Sequence, residues 1–275
     1  MDRRALLLAA PAAGLALAPG GQAKASTRVS RRPPPGPDRP FPGARPVDDW
    51  SARRIIERAT EAAGGESWRR PRTLFMTGHG TFYGPGPQAR VHERHAMWRV
   101  YPTWKADAHR ADGKVRIESV RDGRMVSFSA FDGVRTYNLD GPMPPSDADR
   151  QWSENFGFGI IRHALDDGHV LTRMPDDLVD GRPCHMVEVK GPSGAASLFS
   201  IAHDGAQILR VGFATPRGWH ERLYSDFFSK PGVDWVQPGR VRLLYNGVKQ
   251  NEIVWRDFDL NVEMADALFD TPPPR

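Results

Sequence analysis

The sequence predicts a mainly β protein built on a long antiparallel meander, on three observations. Asp-Gly or Asn-Gly dipeptides recur from residue 112 onward, the segments between them alternate apolar and polar residues, and only two stretches have helical spacing. Asp-Gly tolerates the positive φ of tight hairpin turns. Connections this short join antiparallel neighbours, because a parallel pair needs a long crossover. A sheet with one apolar side must be covered by helices or curl around that side.

The 275 residues include 38 basic and 33 acidic groups. Residues 1–25 hold three basic groups and one acidic, and residues 26–47 hold five and one, which leaves 30 against 31 for residues 48–275, a net charge of −1. The domain therefore lacks the basic excess that nucleic-acid binding needs, and no nucleic-acid partner is expected. A single cysteine, Cys184, excludes an intramolecular disulfide and any all-cysteine metal site. No uninterrupted apolar run reaches the roughly 20 residues of a membrane-spanning helix.

Residues 1–25 read as an export signal peptide. Arg3 and Arg4 form the positive end, residues 5–18 the apolar stretch, and Ala23-Lys24-Ala25 an A-x-A cleavage site. The arginine pair resembles a twin-arginine signal, but Asp2 stands where that motif prefers Ser or Thr, so the Sec and twin-arginine routes both stay open. No cysteine follows the cleavage site, so the mature chain is expected without an N-terminal lipid, in the periplasm. Residues 26–47 form a basic arm rich in proline, from Pro33-Pro34-Pro35 to Pro46. It is expected to be a disordered, extended spacer, or a weak contact for an anionic membrane surface.

Residues 48–275 are expected to form a single β domain. A helix over 49–63, capped by Asp48 or Asp49, presents Ile55, Ile56, Ala59, Ala62 and Ala63 and ends at Gly64-Gly65. Strands follow over 114–121, 124–131, 134–139, 182–191, 207–214 and 248–260. Alternation pairs Trp98 with Val100 against Met97, Arg99 and Tyr101, and Leu209, Val211 and Phe213 against Ile208 and Arg210. A second helix over 148–165, with Ser146 and Asp149 as a capping box, aligns Trp152, Phe156 and Ile160 beside Phe158. Gly157 and Gly159 weaken it by about 1 kcal/mol each. The segment then reads either as close packing on the sheet or as a loosely held lid.

Catalytic and metal motifs are sparse. His92-Glu93-Arg94-His95 is one residue short of the H-E-x-x-H zinc pattern, and on a strand positions three apart face opposite sides. There is no G-x-S-x-G elbow, phosphate loop or dinucleotide fingerprint, so neither a cofactor nor a metal is expected. Cys184 reads as a small buried hydrophobe, and Asp176-Asp177 as a solvated loop pair. The most distinctive stretch is 212–226. There His220, Arg222, Tyr224 and Asp226 share one side, with Arg217 nearby, opposite Trp219, Glu221 and Leu223. This reads as a cross-strand charge ladder, with a polar headgroup site (Arg217, His220, Arg222, Asp226) or a hydrolase built on His220 and Asp226 as alternatives.

Trp50, the amphipathic helix, Gly64-Gly65 and Trp68 lead into the meander and its helical interruption. The chain then closes with Asp257-Phe258-Asp259-Leu260-Asn261-Val262, Leu268-Phe269-Asp270 and Pro272. In that order these features resemble the outer-membrane lipoprotein-sorting proteins and their periplasmic relatives of the LolA/LolB-like superfamily. The resemblance implies a strongly curved antiparallel sheet, an incomplete β-barrel covered by about two helices, with an apolar cavity under a helical lid. It also implies a lipid acyl chain or lipoprotein as partner, a monomer, and no enzymatic activity. Arg99 and Arg116 are the candidates, by strand position, for the arginine with which family members lock the lid. The expected cavity lining is Trp98, Val100, Phe128, Trp152, Phe156, Phe158, Ile160, Phe213 and Trp255. The same fold also suits a periplasmic sensor or protein-interaction module.

Overall fold

A computed structural model describes residues 48–84, 88–101, 113–145, 159–192, 194–215 and 217–270. The leader, the proline-rich arm, Trp152, Phe156 and Phe158 lie outside the described residues. Two helices, α1 (Ala52–Ala63) and α2 (Gly65–Arg69), precede six strands: β1 (Thr73–Tyr83), β2 (Ala89–Val100), β3 (Lys114–Arg121), β4 (Arg124–Phe131), β5 (Thr136–Asn138) and β6 (Gly141–Pro142). A crossover containing a 3-10 turn, Gly159–His163, leads to β7 (Val170–Val179), β8 (Arg182–Lys190), β9 (Ala196–Ala202) and β10 (Ile208–Thr215). The chain ends with β11 (Gly218–Ser225), β12 (Arg240–Tyr245), β13 (Val248–Leu260) and a 3-10 turn, Asp266–Leu268.

All thirteen strands form one antiparallel sheet in the order β6-β5-β4-β3-β2-β1-β13-β12-β11-β10-β9-β8-β7. The chain builds the sheet outward from β1 to one edge, crosses to the far edge, and meanders back until β13 lies beside β1. The edge strands β6 and β7 do not pair with each other, so the sheet is not closed. This is the mainly β antiparallel fold the sequence predicts.

The turn dipeptides explain the accuracy at strand ends. Asp122-Gly123, Asp180-Gly181 and Asn246-Gly247 all have positive φ at both residues, the type I′ geometry that matches strand twist. Each forms the whole loop of a hairpin. The helix cap differs from expectation. Ser51 accepts the Arg54 amide at 3.2 Å, whereas Asp48 accepts the Trp50 amide one turn too early. Gly65 opens α2 instead of ending a helix. The expected second helix lies partly outside the described residues, and from Gly159 it is a 3-10 turn.

The ladder is irregular at the middle of β1, where both of its neighbours carry an extra residue. The register of β1 with β13 shifts between Thr77 and Gly78, and with β2 between Gly78 and Gly80. Bulges bend a strand and increase its twist. Here the bulge also turns His92 and His95, expected on opposite sides, onto one side. Both rings reach Phe82, at centroid distances of 4.3 and 5.9 Å. Another bulge, between Ile208 and Arg210, splits the expected Leu209-Val211-Phe213 face. Ile208, Val211 and Phe213 join the main core, while Leu209 joins a small cluster with Val179, Cys184 and Ala202. Cys184 is fully buried there, as expected, and burial raises its thiol pKa to about 12.

One face of the sheet carries the main core together with α1, Trp68 and the crossover residues Ile160 and Ile161. The opposite face carries charge ladders. Arg210 pairs with Asp177, whose carboxylate also accepts the Ser200 hydroxyl at 2.7 Å. Asp176 and Asp177 therefore lie buried on β7, not in a solvated loop. The C-terminal turn covers part of this second face, where Arg116 donates to the Leu268 carbonyl at 2.6 Å.

Gly78 has no room for a side chain, since a Cβ there would lie 2.9 Å from the Trp255 Cα and closer still to the Val254 carbonyl. Gly78→Ala is expected to destabilise the fold by about 3 kcal/mol, as overpacking does. Gly84→Ala, with nothing within 4 Å, is the control and is expected to be neutral. Urea denaturation of the two variants checks this, and equal midpoints would contradict the packing role of this close approach.

Candidate functional site

A cavity of about 80 Å³ lies inside the sheet on the face that carries the main core. At roughly 10–15 Å³ per water it has room for about six water molecules. Its walls come from β1 (Leu74, Met76), β2 (His95, Met97, Arg99), β3 (Ile117), β11 (Arg222, Tyr224), β12 (Val241, Leu243) and β13 (Asn251, Ile253, Trp255). Tyr101, Arg162 and the loop residues Trp235, Gln237 and Pro238 complete it. These six strands are consecutive in the sheet. Arg99 on β2 and Arg222 on β11 stand four strands apart, roughly 19 Å across a flat sheet at ~4.8 Å per strand. Both line this one small cavity, so the sheet is strongly curved around it.

Arg162 caps the cavity. Its guanidinium lies 4.6 Å from the centre of Trp68, 5.1 Å from Tyr101 and 4.8 Å from Trp235. It also donates to the Trp68 carbonyl. A cation over aromatic faces is attracted by the ring quadrupole, more strongly when desolvated. This box joins α2, the end of β2, the loop before β12 and the crossover. Asp166 adds a second tie between crossover and helix, with Arg69 at 2.6 Å and His163 at 3.0 Å. The loop is held in turn by α1, because the Val236 amide donates to the Ala63 carbonyl at 2.9 Å.

Burial dominates the electrostatics. Arg99, Arg162 and Arg222 are each only 5% exposed. Burial lowers the Arg99 pKa to about 10; Tyr101 opposes this, and the like charges of Arg162 and Arg222 add to it. Burial likewise lowers Arg162. His95 is pushed down to about 3 by burial, with a smaller contribution from His92, so it is neutral at pH 7. One of its ring nitrogens shares a 2.8 Å hydrogen bond with Ser119.

Of the residues expected to line the cavity, Trp255 does so. Trp98, Val100 and Phe128 occupy the opposite face. Trp98 lies against Phe75, with ring centres 4.9 Å apart, and the Arg116 guanidinium lies over both Trp98 and Phe128. Ile160 and Phe213 are buried in the main core, outside the cavity wall. Of the two arginine candidates, Arg99 lines the cavity, and Arg116 pairs with Glu118 on the opposite face.

The expected headgroup set is divided. Arg222 lines the cavity, Arg217 sits 4.4 Å over the Tyr245 ring, and Asp226 accepts from Arg240 at 2.7 Å. His220 is buried between Phe213 and Tyr245, and neither ring nitrogen has a hydrogen-bond partner among the described residues. Burial, then Arg222 and Arg217, hold its pKa well below the usual histidine value. His220 and Asp226 are six residues apart on extended chain, roughly 20 Å at ~3.3 Å per residue. They do not form an acid–base pair.

Spacing along the chain gave no sign of a His/Asp cluster on the sheet. Asp176, His185 and His203 have side-chain ligand atoms within 4.8 Å of one another, an arrangement that could hold a metal ion. Arg173 already pairs with Asp176 and lies 3.2 Å from the His185 ring, so a cation occupies this position in the fold. Trp50 stacks on His185 at 5.4 Å, which ties the start of the domain to β8.

No family model matches the chain, and no curated protein does. Among solved structures it is similar to a LolA superfamily protein from Nitrosomonas europaea, at 14% identity and a TM-score of 0.49, over 81% of this chain and 99% of that one. It is also similar to a domain described as an outer membrane lipoprotein-sorting protein, from Vibrio parahaemolyticus, at 11% identity and a TM-score of 0.45, over 80% and 97%. A DUF1329 family protein from Desulfovibrio piger matches at 11% identity and a TM-score of 0.46, over 79% and 96%. Among the described residues, no helix is long and apolar enough to cross a membrane.

The neutral burial of His95 has a pH consequence. Between its unfolded pKa near 6.5 and its folded value of about 3, the unfolded chain binds a proton that the folded chain does not. Stability therefore rises with pH across this window and falls on acidification, by about 1.4 kcal/mol per pH unit from this group. His95→Gln is expected to flatten the pH dependence of the urea midpoint between pH 6 and 4. An unchanged slope would contradict it.

Proposed function

We propose that the protein is an exported, periplasmic carrier or binding protein. In this reading a single domain over 48–275 holds the acyl chain of a lipid or lipoprotein inside its curved sheet. The observation that carries it is the cavity, walled by Leu74, Met97, Ile117, Leu243, Ile253 and Trp255 and capped by a crossover held through side-chain contacts. The leader over 1–25 supports the location, and the basic arm over 26–47 supplies a contact for an anionic membrane.

Apolar walls suit an alkyl chain, because each methylene removed from water gains about 0.8 kcal/mol. Ligand pockets commonly span roughly 300–1,000 Å³, so a long chain needs more room than the cavity of about 80 Å³ offers. Loading a long chain then requires the crossover and the loop before β12 to move outward. The sheet permits this, since its edges are not joined. Release follows the same path in reverse, provided that lid closure and chain burial have comparable free energies.

A fluorescent fatty-acyl probe is expected to brighten on binding and to tighten by up to about fourfold per added methylene, the equivalent of 0.8 kcal/mol. Leu243→Trp, which fills the cavity, should weaken the probe at least tenfold at an unchanged melting temperature. Binding that is independent of chain length, or unaffected by this substitution, would refute the proposal.

A further inference from the structure

Three neighbouring strands at the β7 edge bring nitrogen and oxygen ligands to one point. Asp176 lies on β7, His185 on β8, and His203 directly after β9, where its amide donates to the Pro183 carbonyl at 3.1 Å. The β7–β8 register shifts between Met174 and Asp177, where Asp176 stands. Asp176 and His185 are 2% and 3% exposed. One ligand atom from each, with one from His203, all lie within 4.8 Å of one another. The His203 Nε2 sits 3.1 Å from an Asp176 oxygen, yet this buried nitrogen makes no hydrogen bond among the described residues. Two ligands of one metal ion stand in that relation. With bonds of about 2.0–2.1 Å, tetrahedral neighbours lie roughly 3.3 Å apart and need no hydrogen between them.

Arg173 marks where the lone pairs converge. A guanidinium only donates, so the His185 Nδ1, 3.2 Å from the Arg173 Nη2, meets it with its lone pair. The same Nη2 donates to Asp176. An imidazole nitrogen and a carboxylate thus already face one cationic centre. The ring proton of His185 then lies on Nε2, which faces an Asp48 oxygen at 3.7 Å. A carboxylate behind the second ring nitrogen is how metal-bound histidines are commonly oriented. Trp50 stacks on the same ring, and the Arg54 guanidinium lies 4.4 Å over Trp50. The His203 side chain is 23% exposed, which gives an ion a path from solvent.

We infer that Asp176, His185 and His203 bind a divalent transition-metal ion of the zinc class, in exchange for the Arg173 guanidinium. Two imidazoles and one carboxylate suit zinc and its neighbours, whereas magnesium and calcium take oxygen ligands. The ion takes over Asp176 and His185 from Arg173 and gains His203. Arg173 keeps its 2.7 Å bond to the Met174 carbonyl through Nη1. Asp48 places a second negative charge beside the ion. The site clips the edge strand β7 to β8 and to the end of β9. It uses none of the cavity residues and does not depend on the acyl-chain reading.

Isothermal titration of the untagged, chelator-treated protein with zinc chloride tests this. One equivalent is expected to bind and to raise the melting temperature, while magnesium and calcium do neither. His203→Gln, at a partly exposed position, is expected to weaken zinc at least tenfold and to abolish the melting shift. Arg173→Met is expected to tighten zinc at least threefold, because a competing cation no longer engages the ligands. A cluster that serves only the fold would give no such opposite signs. Absence of saturable zinc binding overturns the site. Binding that His203→Gln leaves unchanged overturns it in favour of other ligands. Weaker zinc affinity in Arg173→Met overturns the exchange with the guanidinium. If Arg173→Met does not fold, the wild type and His203→Gln decide, and if neither variant folds, the wild-type titration decides alone.

Discussion

A thirteen-stranded sheet with one apolar face has to bend until that face meets something apolar, and the rest of this structure follows from how it bends. The helices α1 and α2 hold 17 residues between them, too few to cover thirteen strands. Curvature covers the remainder. Among the irregularities of the sheet, register shifts with both neighbours flank Gly78 on β1, where the Val254 backbone comes too close to admit a side chain. The bend brings β2 and β11 to one volume, and the cavity is the space left between them.

Local structure was legible in the sequence wherever a short-range rule governs it. The hairpins at Asp122-Gly123, Asp180-Gly181 and Asn246-Gly247 end their strands where the dipeptides stand, since only the two turn residues need positive φ. The pairing of residues into faces was legible too, because alternation has a period of two. Which face points inward was not. Trp98 and Val100 do share a side opposite Met97, Arg99 and Tyr101, but the side with the arginine faces the cavity. The tryptophan instead packs against Phe75 and beneath Arg116, on a face screened by the C-terminal turn. A hydrophobicity count rejects an inward arginine. The fold accepts it because Tyr101 and the other wall residues surround the guanidinium.

The features missed altogether depend on long-range convergence. Arg162 reaches its three rings from a crossover, and the rings themselves belong to α2, the end of β2 and a loop more than sixty residues further on. Asp176, His185 and His203 converge because β7, β8 and β9 are consecutive neighbours, yet nothing in their spacing signals it. Bulges have the same effect over shorter range. One extra residue reverses every side chain beyond it, which is how His92 and His95 come to share Phe82 and how Leu209 leaves its expected face.

Arg162 links these observations to a single equilibrium. It closes the aromatic box that fastens the crossover to the body of the domain, and it is also part of the cavity wall. On the carrier reading, any occupant that interacts with this guanidinium would change how firmly the crossover is held, and by linkage the state of the crossover would change the affinity for the occupant. Cation–π contacts contribute roughly 0.5–2 kcal/mol each, comparable to burying one or two methylenes. On the carrier reading proposed above, the three contacts together would offset the burial of only a few methylenes, so closure would tune the affinity for a long chain without outweighing it.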